Sequence, residues 1–378
     1  MRRTSITLAA LAVLWTAARA SADEGGASIF VRADTDRTVV ISPRASASAT
    51  FDGDRTTIRG SYMADVWTSA SIDIRTAASI RRPREAGNVE PEVHAITEQR
   101  DQVDLSVTHE LDDVTIGGSY YYSGENDYWS HGFSLRSEQE LSNNSTTFEE
   151  ALTYVHDIVG RAGDPTFERP LETFGLRLVW TQILSPDAIL QFVYDGTYRT
   201  GFQSSPYRYV GLGGDGQCGS TAVLCVPEAH PSVRIRNALV ARGRFAFGAN
   251  ASAGLGYRFY IDDWGVISHT ARAQIAWIPE RGQTITLAYR FYTQTAAGFY
   301  MNVYPNRDDI LNVTRDRELS PMFSNRLAVS YQGRAVIAEG IAMKFAIAVG
   351  GSAFVYSDFT GLEEVYGIDT TFSITLEL

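Results

Sequence analysis

Four arginines at even-numbered positions carry the strongest chemical signal in this sequence. Arg234, Arg236, Arg242 and Arg244 share one face of a segment whose other face holds Val233, Ile235, Leu239, Phe245 and Phe247. An extended strand sends alternate side chains to opposite sides, so these guanidinium groups stand in one row. Such a row repels itself unless acids or an anion lie opposite, and anion contact is the chemistry it suggests. The same alternation puts Arg177, Arg258, Arg272, Arg290 and Lys344 on the polar faces of other segments, together with Arg44, Arg59 and Arg136. Asp65, Asp73, Asp104, Glu110, Glu138, Glu140, Asp195 and Glu377 occupy equivalent faces. Two readings stay open. Opposed charges across a water-filled passage would select solutes by charge and size. Equally, they would pair, fill the interior and stiffen the wall.

Covalent chemistry has less support. Hydrolysis needs a nucleophile, a base and an orienting group within reach of one another. Histidine is scarce: His94, His109, His131, His156, His230 and His269. Ser268 precedes His269, and His109 lies on an apolar face, but neither belongs to a recognisable catalytic pattern. There is no His-Glu-x-x-His, Gly-x-Ser-x-Gly, phosphate-binding glycine loop or Cys-x-x-Cys. The expectation is a protein that is not an enzyme and needs no cofactor. Cys218 and Cys225, in a glycine-rich stretch of an exported chain, suit a loop-stapling disulfide better than a metal site, since no ligand-spaced His or acid adjoins them. Asp262-Asp263 and Asp308-Asp309 lack the spacing of a calcium loop and read as solvated loop residues; no metal is expected. Tyr207-Arg208-Tyr209 and the run from Tyr292 to Tyr304 are aromatic enough to contact sugar or to fold inward as a constriction.

The elements that position these residues are strands throughout. At the end of the chain, Tyr366, Ile368, Phe372, Ile374 and Leu376 oppose Asp369, Thr371, Ser373, Thr375 and Glu377. Phe174, Leu176, Leu178 and Trp180 oppose Thr173, Gly175, Arg177 and Thr181, and Ile285, Leu287, Tyr289 and Phe291 oppose Thr284, Thr286 and Arg290. Short breaks such as Asp52-Gly53-Asp54, Ser142-Asn143-Asn144 and Ala338-Glu339-Gly340 alternate with long ones such as 75–92, 157–168, 200–232 and 295–319. Tight turns on one side and long loops on the other describe an outer-membrane barrel. Fifteen strands can be counted from Val39 onward, and a barrel with both ends on one side needs a sixteenth. Ser28 to Asp34 is its candidate. Arg facing lipid at the midplane would cost about 2–4 kcal/mol, so the arginines are assigned to the lumen. Trp180 and Trp277, beside short turns, would lie at a lipid boundary. One strand resists: in Thr146 to Asp157, Glu150 shares a face with Phe148, Leu152 and Tyr154, which calls for a bulge or for a segment partly outside the membrane.

The chain starts Met1-Arg2-Arg3, runs apolar from Ile6 to Trp15 and then carries small residues at Ala18, Ala20 and Ala22. This is the form of a secretory signal peptide, with cleavage expected after Ala22 (Ala20 being the alternative), so that 1–22 is removed and 23–378 forms one barrel domain. No later stretch is long enough for a spanning helix. The formal charge of -11 argues against nucleic acid as a partner.

Several stretches together support a family resemblance. They are Thr68-Ser-Ala-Ser-Ile-Asp-Ile74, Gly124-Glu-Asn-Asp-Tyr128, Gly160-Arg-Ala-Gly-Asp-Pro165, Gly201-Phe-Gln-Ser-Ser-Pro-Tyr-Arg-Tyr209, Tyr289-Arg-Phe-Tyr-Thr-Gln294 with Gly298-Phe-Tyr300, and Arg315-Asp-Arg-Glu-Leu-Ser-Pro321. In this order they resemble an uncharacterised bacterial family of outer-membrane barrels known only as a domain of unknown function. The resemblance implies the barrel and the Gram-negative outer membrane, and no activity. The loop from Cys218 to Cys225 is outside the matched stretches.

The expected fold is thus all-β: a single transmembrane antiparallel barrel of about sixteen strands, porin-like, with short periplasmic turns and long extracellular loops. The expected function is a passive or weakly selective channel for small solutes, anionic ones in particular. The alternative is a non-conducting surface or assembly barrel that works with an exported partner protein. Outer-membrane lipid is the one partner the pattern names. A plug-bearing transporter is disfavoured, because the first strands begin soon after the expected cleavage site.

Overall fold

The computed structural model describes residues 24–69, 96–142, 144–218 and 220–377. The expected signal peptide (1–22), Asp73 (expected to be an inward acid), His94 and the whole of the 75–92 break lie outside them. Strands β1 (Glu24–Asp34), β2 (Thr38–Phe51), β3 (Thr56–Ser69), β4 (Ile96–Leu111), β5 (Val114–Gly124), β6 (Tyr128–Leu141), β7 (Thr146–Val159), β8 (Arg169–Ser185) and β9 (Ala188–Gly201) follow one another around a wall. A small separate hairpin, β10 (Tyr209–Leu212) and β11 (Leu224–Pro227), comes next. The wall resumes with β12 (Val233–Phe247), β13 (Ala251–Asp262), β14 (Ile267–Trp277), β15 (Gln283–Gln294), β16 (Met322–Ala338), β17 (Ile341–Tyr356) and β18 (Glu364–Glu377). β18 pairs with β1 from Glu24↔Glu377 to Asp34↔Gly367, and the barrel is closed. The first strand is therefore real and begins earlier than Ser28.

Tight connections sit at the end of the barrel that holds both chain ends. Asp52, Asp54, Asp112, Ser142 and Asn144 adopt positive φ there, and Gly340 does so with φ 76. These residue types tolerate that conformation, which two-residue hairpin turns demand. The long connections gather at the other end. Gly201, where β9 leaves the wall, has φ 124, and a Cβ there would collide with the Pro170 carbonyl. Only glycine launches the 202–232 segment from this point.

The outward face is apolar along the strands. Leu135 is 70% exposed, Leu152 61% and Leu255 61%. A free apolar surface on every wall strand needs hydrocarbon around it. The two boundaries of that hydrocarbon are marked by different aromatics. At the turn end Trp180 stacks on Phe192 with ring centroids 5.5 Å apart, and Trp277 points outward. Toward the loop end a repeating contact appears. The hydroxyl of a tyrosine on an ascending strand hydrogen-bonds with the polar residue two positions above its opposite number on the next strand. The pairs are Tyr62 to Asp101 (2.6 Å), Tyr120 with His131 (2.8 Å), Tyr154 to Glu172 (2.7 Å), Tyr194 to Asn237 (2.8 Å), Tyr257 with His269 (2.6 Å) and Tyr289 to Asn325 (2.6 Å). Each ring lies against the apolar wall while its hydroxyl reaches a polar rim, which is where amphipathic tyrosines settle at a lipid–water boundary. From Glu172 to Trp180 the strand covers about 27 Å, or about 20 Å of height at a tilt near 40°. That suits the apolar band of an outer-membrane barrel.

No register shift falls at Glu150, so the expected bulge is absent. Glu150 stays on the outward face near the turn end and accepts from Ser137 Oγ (2.9 Å) and Gln139 Nε2 (3.2 Å) on β6. Neighbouring outward polar groups satisfy the carboxylate, and the ladder needs no distortion. The two shifts in the wall lie elsewhere, at Ile183/Ser185 and Val336/Ala338, both beside tight turns.

The outward and inward faces of β6 give a direct check. Leu135→Arg places a cation in hydrocarbon midway along the strand and should lower folding stability in lipid vesicles by about 2–4 kcal/mol. Ser134→Arg, one residue away on the lumen face, should cost far less. Equal losses in urea titrations of the two variants would contradict the assigned faces.

Candidate functional site

The lumen is built from the even positions of β12, β13, β14, β15, β16 and β17 and from the matching inward positions of the other strands. All the sequence-derived lumen candidates within the described residues stand on inward faces, but their surroundings divide them. Arg177 pairs with Asp195 at 3.4 Å, Asp65 pairs with Arg100, and Lys344 pairs with Glu377, which Arg334 also reaches at 3.0 Å. Arg44 donates to Ser61 (3.0 Å), whose hydroxyl passes to Asp104 (3.2 Å). These groups knit the wall.

The four-arginine row on β12 splits. Arg234 sits at the rim, held by Asp262 through Nε (2.9 Å) and Nη2 (2.5 Å), with its guanidinium 4.1 Å from the Trp264 ring centroid. Asp262 is buried and also accepts from Tyr260 Oη and the Val266 N–H, so it is a turn-building residue and not a solvated one. Arg236, Arg242 and Arg244 have no ion pair among the described residues, and neither do Arg258, Arg272 and Arg290 on the following strands. Across the ring, β3 to β7 turn Asp65, Glu98, Asp104, Glu110, Glu138, Glu140, Glu149 and Asp157 inward, against Arg59, Arg100 and Arg136. A cationic wall centred on β14 thus faces an acidic wall centred on β5. Sequence reasoning passed over Arg100, Arg199, Arg326 and Glu149, although each follows the same alternation.

Above the lumen the loops interlock. Inward-facing Tyr260, Tyr292, Met322, Tyr356 and Val365 pack with loop residues Trp264, Ala297, Phe299, Tyr300, Leu319, Phe359 and Leu362. Of the aromatic Tyr292–Tyr304 run, Tyr292, Phe299 and Tyr300 pack in this cluster. Val210 and Leu212 of the small hairpin pack on Tyr304 and Val313. Tyr304 is 1% exposed; its hydroxyl donates to Phe299 O (2.9 Å) and accepts from the Thr314 N–H (3.0 Å). Tyr207 Oη donates to Asp127, between β5 and β6, and accepts from the Ala162 N–H (2.5 Å), between β7 and β8. The β5–β6 and β15–β16 connections lie on opposite sides of the ring, so the segment from Tyr207 to Leu212, which touches both, crosses the mouth. Arg315 reaches Thr360 O (2.6 Å), and Arg317 pairs with Asp36 of the β1–β2 turn at 2.5 Å. Every described outer connection takes part in this lid. Cys218 and Cys225 are joined by a disulfide that closes the tip of the hairpin.

Glu228 is the hub. It accepts from the Ser205 N–H (2.9 Å), Thr314 Oγ1 (2.8 Å) and the Arg315 N–H (3.2 Å), and pairs with Arg208 at 3.2 Å. Burial pushes its carboxyl up, but Arg208, His230 and the Ser205 N–H outweigh burial and hold it at about 2.

A family model described as "Protein of unknown function (DUF3570)" matches residues 4–331. The chain belongs to this family. No curated protein sequence matches the chain. Among solved structures it is similar to a bacterial polysaccharide outer membrane secretin, at 6% identity over 94% of this chain and 98% of that one, with a TM-score of 0.51. It is also similar to CdiB from Acinetobacter baumannii (10% identity, 93% of this chain, TM-score 0.46) and to OccK5 from Pseudomonas aeruginosa (8% identity, 95% of this chain and 98% of that one, TM-score 0.44). The chain spans 60% of the length of CdiB. At these identities the likeness concerns the fold alone, and this member of the family is an outer-membrane-type barrel.

The depressed Glu228 carboxyl makes the lid acid-sensitive. Its stabilising part is whole above the ordinary glutamate value of about 4.5 and fades as pH falls toward about 2. Hydrogen exchange, corrected for intrinsic rates, should show the Ser205 and Arg315 amides losing protection across that window. Glu228→Gln should lose it already at neutral pH. Protection that is flat with pH and unchanged in the variant would contradict the hub.

Proposed function

We propose that this protein is an outer-membrane channel, passive or weakly selective, whose lumen favours small anions and whose mouth is restricted by the loop lid. The reading involves no catalysis. It takes the segment 1–22 as the export signal that carries the chain through the periplasm to the outer membrane.

One observation carries it: unpaired arginines on β12 to β15 face a wall of acids across the lumen. A protein that used lumen charges only to stiffen its wall would pair them, as Arg177 and Asp195 are paired. Charges of opposite sign held apart across water set a transverse field, which sorts solutes by sign without holding them tightly. The guanidinium wall attracts anions by about 0.5 kcal/mol per charge at ~8 Å through water, enough for selectivity and too little to stop flow.

The lid supports a second reading. Loops tied across the whole mouth suit a surface or assembly barrel that does not conduct and meets an exported partner protein through segment 202–232. The two readings separate in planar bilayers. A channel gives discrete conductance and, under a salt gradient, a reversal potential on the anion side. Arg242→Gln with Arg244→Gln should lower anion permeability about fivefold, two charges at about 0.5 kcal/mol each, and with it the anion-to-cation permeability ratio. If neither the native protein nor a lid-loosened Tyr207→Phe, Arg317→Gln variant conducts above background, the channel reading is wrong. A stoichiometric partner that co-purifies and is lost on deletion of 203–231 would then favour the second.

A further inference from the structure

Three of the unpaired arginines form a compact group under the lid. Arg272 on β14 lies directly opposite Arg290 on β15, and Arg290 lies directly opposite Arg326 on β16. Like charges in directly opposed positions repel. Arg326 escapes by turning toward β18. It holds Asp369 through Nε (3.2 Å) and Nη2 (2.6 Å), passing over Gly350, where any Cβ would obstruct it. Arg272 and Arg290 have no such outlet. Arg258 on β13 adds a third charge: it faces Thr270, one inward position above Arg272. Arg290 thus feels Arg272, Arg326 and Arg258 together, and its Nε is buried without a hydrogen bond.

Aromatic rings fix the direction of the group. Arg258 lies 5.2 Å from the Tyr260 ring centroid and Arg290 lies 5.3 Å from that of Tyr292. Both tyrosines are packed into the underside of the lid. Cation–π contact restrains the guanidinium groups there, so they do not spread away from one another into the lumen. Adjacent strands are about 4.8 Å apart, which leaves three long side chains able to close on one small ligand. A single halide offers one charge and no hydrogen-bond geometry. A compact dianion with several oxygens offers two charges and parallel acceptors for planar guanidinium forks.

We propose that Arg258, Arg272 and Arg290 form a binding site for an oxyanion of the phosphate class, held in the lumen beneath Tyr260 and Tyr292. The proposal deepens the anion-channel reading and rests on its premise that solutes reach the lumen. Calorimetry on the full-length protein in detergent, at constant ionic strength, tests it with inorganic phosphate, with glycerol 3-phosphate as a monoester and with chloride as the control. Either phosphate should bind saturably, and the tighter of the two names the source; chloride should not. Arg290→Gln should weaken binding about tenfold or more, the loss of a charge-assisted contact. Arg258→Lys keeps the charge and the fold but loses the fork, and should weaken binding by a smaller factor. Arg307→Gln, in an exposed loop, should leave it unchanged. Absence of saturable phosphate binding, or affinity unmoved in both Arg258→Lys and Arg290→Gln, would overturn the site. Anion-selective conductance without phosphate binding overturns the site alone. Phosphate binding in a protein that never conducts overturns the channel and leaves the site.

Discussion

In hydrocarbon a backbone N–H or C=O without a partner costs several kcal/mol, so a chain that crosses with strands must close its ladder on itself. The pairing of β1 with β18 does this and leaves the sixteen-strand wall without an edge. Once the wall is closed, only two environments remain. Outward positions meet lipid and inward positions meet water or one another. The lumen arginines, the outward leucines and the two aromatic boundaries all follow from that division. A β1 too short to reach β18 would leave two rows of unpaired groups in the bilayer, and no side-chain contact could compensate for them.

The same division explains what the sequence made legible. Period-two alternation in Val233 to Phe247 or in Glu364 to Glu377 is sharp because lipid and water differ so much. β1 was harder to see, since its first outward position is Gly25 and the next is the small Ala27. Glu150 looked like a register fault because one strand cannot show that Ser137 and Gln139 on the next strand supply its hydrogen bonds. The six tyrosine contacts share this property: each needs the register of two strands, and sequence alone offers only the tyrosine.

The site was legible in part for a related reason. Alternation identifies an inward arginine, but pairing depends on which strand stands beside it. Arg234 and Arg242 look equivalent in sequence, yet Arg234 meets Asp262 and Arg242 meets Gln191 and Gly256. The lid was least legible. Arg317 with Asp36, and Tyr207 with Asp127, join residues far apart in the chain through loops that have no periodicity. What emerges is a lumen with charge held apart across its width and a roof in which one buried carboxylate, Glu228, ties the 202–232 segment to the β15–β16 connection. A channel of this kind would be governed at its mouth, with selectivity placed below.

Whether water lies inside the wall and hydrocarbon outside can be measured position by position. Nitroxide labels placed singly from 238 to 245 on β12, in a Cys218→Ser, Cys225→Ser background and reconstituted in lipid, report access to a water-soluble nickel chelate and to oxygen dissolved in lipid. Even positions should favour nickel and odd positions oxygen, alternating along the strand. Loss of the alternation, or its inversion, would contradict a barrel with a wet arginine-lined interior.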